Sequence, residues 1–218
     1  LNVLSTKKII KQLIKKNIFF IFFSSEFVYK GNKKNYSENS IPKPTTIYGK
    51  QKLAIEQFIK KSTKNYVIFR IAKTYSDSLN EKDFFSNFFY SIKKKNYNYN
   101  AAVDQIFNPL FVKDIVRITN YFLKKEITGL FNVGGPVSYS RYQCLTILKN
   151  CLPTEIKEKI NIRKIKLKNI KFSEKRPHNL SMNVKKIKKV YKFKITNFEK
   201  IAKIIVKKKF NKKYFDQR

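Results

Sequence analysis

At 218 residues, 42% of them hydrophobic, the chain is long enough to bury the core of one full-sized domain, or of one domain with a smaller partner. Its longest apolar run, Ile18 to Phe23, falls well short of the roughly 20 residues that a membrane helix needs, and no signal peptide opens it, so a cytoplasmic protein without membrane association is expected. The formal charge of +35 invites a nucleic-acid reading, but only six of the 49 basic residues are Arg, the side chain that phosphate and base readers favour, so no specific nucleic-acid partner is expected. Abundant Asn, Ile, Phe and Tyr beside scarce Ala and Gly point to drift toward AT-rich codons, with most Lys residues forming a solvated surface that still attracts anionic ligands. A single histidine, His178, excludes multi-histidine metal sites, and Cys144 and Cys151 read as reduced core cysteines.

Strands and helices alternate along the chain, which predicts an α/β fold built on a parallel sheet. A helix over 6–16 leads into the apolar run IFFIFF at 18–23, read as a buried strand ending at Ser24 and Ser25. A polar loop with Pro42 and Pro44 precedes a helix over 48–61. A strand YVIFRI at 66–71 follows, then helices near 83–92 and 111–123, with Asp114 as a helix N-terminal charge, and a strand at about 130–133. Gly134, Gly135 and Pro136 break the chain before a helix that Ser140 caps. Beyond 150 the pattern turns irregular: Asn183 opens a short helix, T196-N-F-E199 forms a capping box before another, and the KKKFNKK stretch is a frayed terminus.

A Tyr four residues before a Lys on one helical turn can move protons at a carbonyl, because the ammonium favours the phenolate. Four pairs have this spacing: Tyr29/Lys33, Tyr48/Lys52, Tyr90/Lys94 and Tyr121/Lys125. Only Tyr48 opens a helix after a Pro-containing loop and follows a Ser pair at the end of an apolar strand, where ligands bind in a parallel sheet.

Residues 22–56, FFSSEFVYKGNKKNYSENSIPKPTTIYGKQKLAIE, resemble the active-site segment of extended short-chain dehydrogenase/reductases, nearest the dTDP-4-dehydrorhamnose reductase group of the epimerase/dehydratase superfamily. DQIFNPLFVKDI at 104–115, GLFNVGGP at 129–136 and KRPHNLSMN at 175–183 resemble later landmarks of that group, in the same order. The resemblance implies a Rossmann-like doubly wound parallel sheet with a small α+β substrate-binding region. It divides the chain into a partial dinucleotide-binding domain over 1–133, with substrate-region segments interleaved from about 75, and a mainly substrate-binding region over 134–218. It implies that NADPH or NADH reduces a keto group on a nucleotide-activated sugar, that Ser25 and Tyr48 are catalytic, and that Lys52 serves both the phenol and the nicotinamide ribose. By the same resemblance Arg176 contacts the substrate diphosphate, Asp104 and Gln105 either touch substrate or shape their loop, and a homodimer is a possible assembly.

The G-x-x-G-x-x-G turn that cradles a dinucleotide in this family is absent from the sequence, and the chain begins with Leu. The expectation is a fragment lacking the first third of a complete enzyme, inactive as it stands. A 4,6-dehydratase is disfavoured because Phe27 stands where the second acid after the strand-end hydroxyl is expected. A 4-epimerase, needing only Ser, Tyr and Lys, is the enzymatic alternative. A non-catalytic nucleotide-binding regulatory subunit is the alternative of another class.

Overall fold

Strand β2 (Tyr66–Ile71) reads YVIFRI, and five of its six residues are buried, which is possible only if both faces of the strand are covered. In the computed structural model, which describes residues 2–77, 84–172 and 174–210, that covering comes from helices on either side. Helix α1 (Asn2–Lys15) leads into strand β1 (Phe20–Ser25), and helix α2 (Ile47–Ser62) returns the chain to β2. Strand β3 (Thr74–Tyr75), helix α3 (Phe84–Lys93) and strands β4 (Asn98–Ala102), β5 (Ile106–Phe107) and β6 (Leu110–Phe111) lead to helix α4 (Val112–Lys125) and strand β7 (Gly129–Val133). Strand β8 (Tyr139–Ser140), helix α5 (Arg141–Asn150), the one-turn α6 (Thr154–Lys157), strand β9 (Asn161–Ile165) and helices α7 (Lys185–Val190) and α8 (Phe198–Phe210) follow.

The central sheet is parallel, in the order β1-β2-β7, with Ser24 opposite Arg70 and Phe69 opposite Phe131. Alternation along β2 sends Val67 and Phe69 to a core with Ile118 and Phe122 of α4, and Tyr66 and Ile68 to one with Ile55 and Ile59 of α2 and Ile10 of α1. The expected α/β architecture, a parallel sheet covered on both faces, is therefore present. A third core joins α3, α5 and α8 through Phe85, Phe88, Leu145, Leu148, Phe198 and Ile205. Beside it β4 pairs with β9 in parallel, so segments from before and after residue 133 build one small sheet.

Several boundaries differ from the sequence reading. Strand β1 starts at Phe20 and includes both serines, and its apolar residues are only partly covered, Phe23 being 43% exposed. The physical reason is position: within the described residues β1 pairs on one side only, with β2. Helix α7 is capped by Val184, whereas Asn183 bonds the Lys185 amide through its side chain. The capping box expected at Thr196 is replaced by other bonds, because the Thr196 amide and hydroxyl donate to Asp114 and Asn197 caps the Glu199 amide. Lys207 to Phe210, expected to fray, continue α8, and Lys208 bonds Asp77 at 2.9 Å; residues 211–218 lie outside the described residues.

Asp114 does more than offset the amides at the start of α4. At 1% exposure it accepts from Thr196 and from Arg117, so it moors the approach to α8 onto α4. Asp114→Ala leaves the partly buried amide and hydroxyl of Thr196 without this acceptor, which costs about 1–3 kcal/mol. Urea denaturation of the variant should show a loss of that size, and an unchanged midpoint would contradict this role.

Candidate active site

Thr46 ends the Pro-containing loop and caps α2, its Oγ1 accepting from the Gly49 amide at 3.1 Å. This fixes Tyr48 in the first turn, where its side chain is 48% exposed. Gly49 allows the helix start to approach the strand end: a Cβ at this position would lie 2.2 Å from the Phe27 carbonyl oxygen. Lys52, one turn later on the same face, donates from Nζ to the Phe23 carbonyl at 2.8 Å and lies 5.7 Å from the centre of the Tyr48 ring. Partial burial holds its ammonium below the ordinary lysine range.

Ser25 is the last residue of β1 and 7% exposed, and its Oγ accepts from the Phe27 amide at 3.3 Å, capping the turn Glu26–Val28. Ser25, Tyr48, Lys52 and Arg176 line one cleft of about 560 Å³, together with Glu26, Lys73, Gln105 and Arg141. The cleft opens at the C-terminal ends of β1 and β2, where a parallel sheet presents its ligand site. The other Tyr/Lys pairs lie elsewhere. Tyr29 is fully buried and bonded to Arg70 and Asn132, Tyr90 is exposed on α3, and Tyr121 donates to the Val190 carbonyl.

Arg176 is brought in from far along the chain. Gly31, at φ 77°, is in contact with Pro177, the Gly31 carbonyl accepts from Asn179 at 2.8 Å, and Glu174 accepts from the Ile47 amide at 3.3 Å. The Arg176 guanidinium sits 5.7 Å from the Phe27 ring and 5.3 Å from the Phe172 ring. Of the Asp104/Gln105 pair, Asp104 bonds the Leu167 amide at 2.7 Å and His178 Nδ1 at 3.2 Å, shaping its loop, whereas Gln105 lines the cleft. Phe27, standing where an elimination enzyme needs its second acid, packs edge-on against Tyr48 with ring centres 6.0 Å apart.

Glu26, Lys73 and Arg141 were not read as site residues from the sequence. Burial pushes the Glu26 carboxyl up to about 8, against the opposing charge and backbone N–H of Lys73, so it carries its proton at neutral pH. Arg141 could have been found from scarcity. Of the six arginines, Arg70 and Arg117 are tied to carboxylates, while Arg141 and Arg176 stand in the cleft. In a lysine-rich chain a retained Arg marks a need for its planar fork.

A family model, the RmlD substrate binding domain, matches residues 1–210. The chain belongs to that family. Among curated proteins it is 25% identical over 150 residues to methionine adenosyltransferase 2 subunit beta of Xenopus tropicalis, covering 66% of this chain and 45% of that protein. The Rattus norvegicus protein of the same name is 26% identical over 149 residues. The chain thus spans less than half the length of these relatives. Among solved structures, dTDP-4-dehydrorhamnose reductase from Yersinia enterocolitica superposes with a TM-score of 0.84 at 19% identity, over 93% of this chain and 71% of that one. The Bacillus anthracis enzyme of that name, solved with NADP, gives 0.75 at 20%, over 87% and 65%. UDP-N-acetylglucosamine 4-epimerase from Bacillus cereus gives 0.74 at 21%, over 96% and 72%. These likenesses agree with the fold described above.

Glu26 generates a pH prediction. Its folded value of about 8 lies above the ordinary 4.5, so the folded state holds a proton that the unfolded chain releases between those values. With respect to this group, stability is greatest below about pH 4.5 and falls as pH rises toward 8. Urea melts from pH 5 to 8 should show a decline that Glu26→Gln abolishes. A parallel decline in both proteins would contradict the assignment.

Proposed function

We propose that this chain carries the catalytic and substrate-binding part of an NAD(P)H-dependent reductase acting on a keto group of a nucleotide-activated sugar, as in the dTDP-4-dehydrorhamnose reductases. The observation that carries this reading is the convergence of Ser25, Tyr48 and Lys52 in one cleft at the strand ends, with Arg176 lining the same space. The donor set fits the nicotinamide-ribose end of the cofactor, since Lys52 offers an ammonium next to the Tyr48 phenol. None of the five glycines forms the phosphate-cradling turn, so the sequence given supplies residues for that end alone.

When bound, the dinucleotide supplies a hydride to the carbonyl carbon. The electron pair of the C=O bond then moves to oxygen, where charge develops. Tyr48 delivers its phenolic proton to that oxygen, and Ser25 Oγ donates a hydrogen bond to it. Lys52 opposes the charge left on the Tyr48 phenolate, and its bond to the Phe23 carbonyl holds it beside the strand end. Arg176 binds the substrate diphosphate, charge against charge. Nucleotide sugars and NAD(P)H are both cytoplasmic, which supports that location. No helix among the described residues is long and apolar enough to cross a membrane.

In a protein that joins this chain to a dinucleotide-cradling segment, with NADPH or NADH and a dTDP-linked 4-keto sugar, Tyr48→Phe should lower turnover by about 100- to 10,000-fold with little change in substrate affinity. Tyr29→Phe, Tyr90→Phe and Tyr121→Phe should stay within a few-fold of the parent. A loss centred on any other tyrosine, or a chain that neither turns over nor binds the sugar nucleotide, would contradict the reading.

A second reading has one observation behind it: the curated relatives are named as a subunit of methionine adenosyltransferase 2. On that reading the cleft binds a nucleotide and the chain serves a partner enzyme without turnover of its own. Nucleotide binding without turnover by the parent chain when NAD(P)H and a keto sugar nucleotide are both supplied, together with co-elution with a larger enzyme, would favour it over reduction.

A further inference from the structure

Arg141 stands in an electrostatically unfavourable place. It is the first residue of α5, where Ser140 and Gln143 form a capping box and the aligned helix amides present partial positive charge. Its Nε is buried without a hydrogen-bond partner, and among the described residues no carboxylate is ion-paired with it. Burial, and next the positive charge of Arg176, hold its guanidinium below the usual arginine value. Among the described residues the one carboxyl in the cleft lining is that of Glu26, which burial pushes up to about 8, toward its uncharged form.

Each guanidinium is instead backed by aromatic rings: Arg141 lies 4.3 Å from the Phe84 ring centre, and Arg176 lies against Phe27 and Phe172. A phenyl ring offers a guanidinium no conventional acceptor, so its N–H donors are left to be satisfied by another group. Two such forks in one cleft, with no ion-paired carboxylate on either among the described residues, match an anion with several oxygens on two centres.

We propose that Arg141 acts with Arg176 as a two-guanidinium clamp on the diphosphate of the nucleotide sugar, making Arg141 the residue that selects a diphosphate over a monophosphate. The proposal rests on the nucleotide-sugar reading above. A single cation would bind either ligand through one phosphate; a second, opposed to its own surroundings, is relieved only by the second phosphate.

The test is calorimetric titration of the purified chain with dTDP, dTMP and inorganic pyrophosphate, repeated with Arg141→Gln, Arg141→Lys and Arg176→Gln. The parent should bind dTDP and pyrophosphate more tightly than dTMP. Arg141→Gln should weaken dTDP by about 10- to 100-fold, the span expected for a lost charged hydrogen bond, and narrow the gap to dTMP. Arg141→Lys should recover part of the loss. The melting temperature of ligand-free Arg141→Gln should equal or exceed that of the parent, since the substitution removes an uncompensated charge.

If Arg141→Gln binds dTDP like the parent while Arg176→Gln does not, the clamp is overturned and the nucleotide-sugar reading stands. A lower melting temperature with unchanged dTDP affinity assigns Arg141 to the scaffold and also overturns it. If the parent binds none of the three ligands below millimolar concentration, the clamp and the nucleotide-sugar reading fail together.

Discussion

Glu56 is fully buried on α2, where an unpaired charge is costly and a partner of opposite charge and matching shape is needed. Arg70 of β2, 1% exposed, supplies it through a two-pronged contact, Nε to Oε1 at 3.0 Å and a terminal nitrogen to Oε2 at 2.6 Å. The Ser24 hydroxyl, beside Ser25, donates to the same carboxylate, and Arg70 reaches the Tyr29 hydroxyl at 2.9 Å. Tyr29 in turn meets Asn132 of β7, whose amide nitrogen donates to the Tyr36 carbonyl. One carboxylate thus gathers α2, both neighbouring strands and the loop after β1. Glu56 lies one helical turn beyond Lys52 and two beyond Tyr48, so its anchorage sets where those side chains stand relative to Ser25. Pairs of this kind are costly to break, at about 3–5 kcal/mol for removal of one partner.

The electrostatics of the cleft follow from what this scaffold buries. Lys52, Lys73, Arg141 and Arg176 line it, while burial neutralises Glu26. A cleft of this kind draws anions, and the surplus of lysine over the rest of the surface adds to the attraction. The large net charge therefore fits an anionic small molecule without invoking nucleic acid, given how the described arginines are placed.

What the sequence made legible was local. YVIFRI declared itself as β2 by its apolar run, and the Pro-containing loop announced the start of α2. Tyr48 and Lys52 were legible as a pair by spacing, and the preceding Pro-containing loop and strand-end Ser pair chose them from four. The misjudged features were those decided at long range. Whether IFFIFF is buried depends on what lies beside β1, and Thr196 forgoes its cap because Asp114, distant in sequence, offers a better bond. Glu26 and Arg141 gained their character from neighbours that no local pattern names: the burial and Lys73 around one, and Phe84 and Arg176 around the other.

The Glu56–Arg70 pair holds the strand end and the helix that carries Tyr48 and Lys52 in one arrangement. Hydrogen exchange of Glu56→Gln against the parent tests it most directly, read peptide by peptide. Amides of β1 and of α2 between residues 50 and 56 should lose protection together, while those of β4, β9 and α5 keep theirs. Parent-like protection at β1 and α2, or an equal loss over the whole chain, would contradict it.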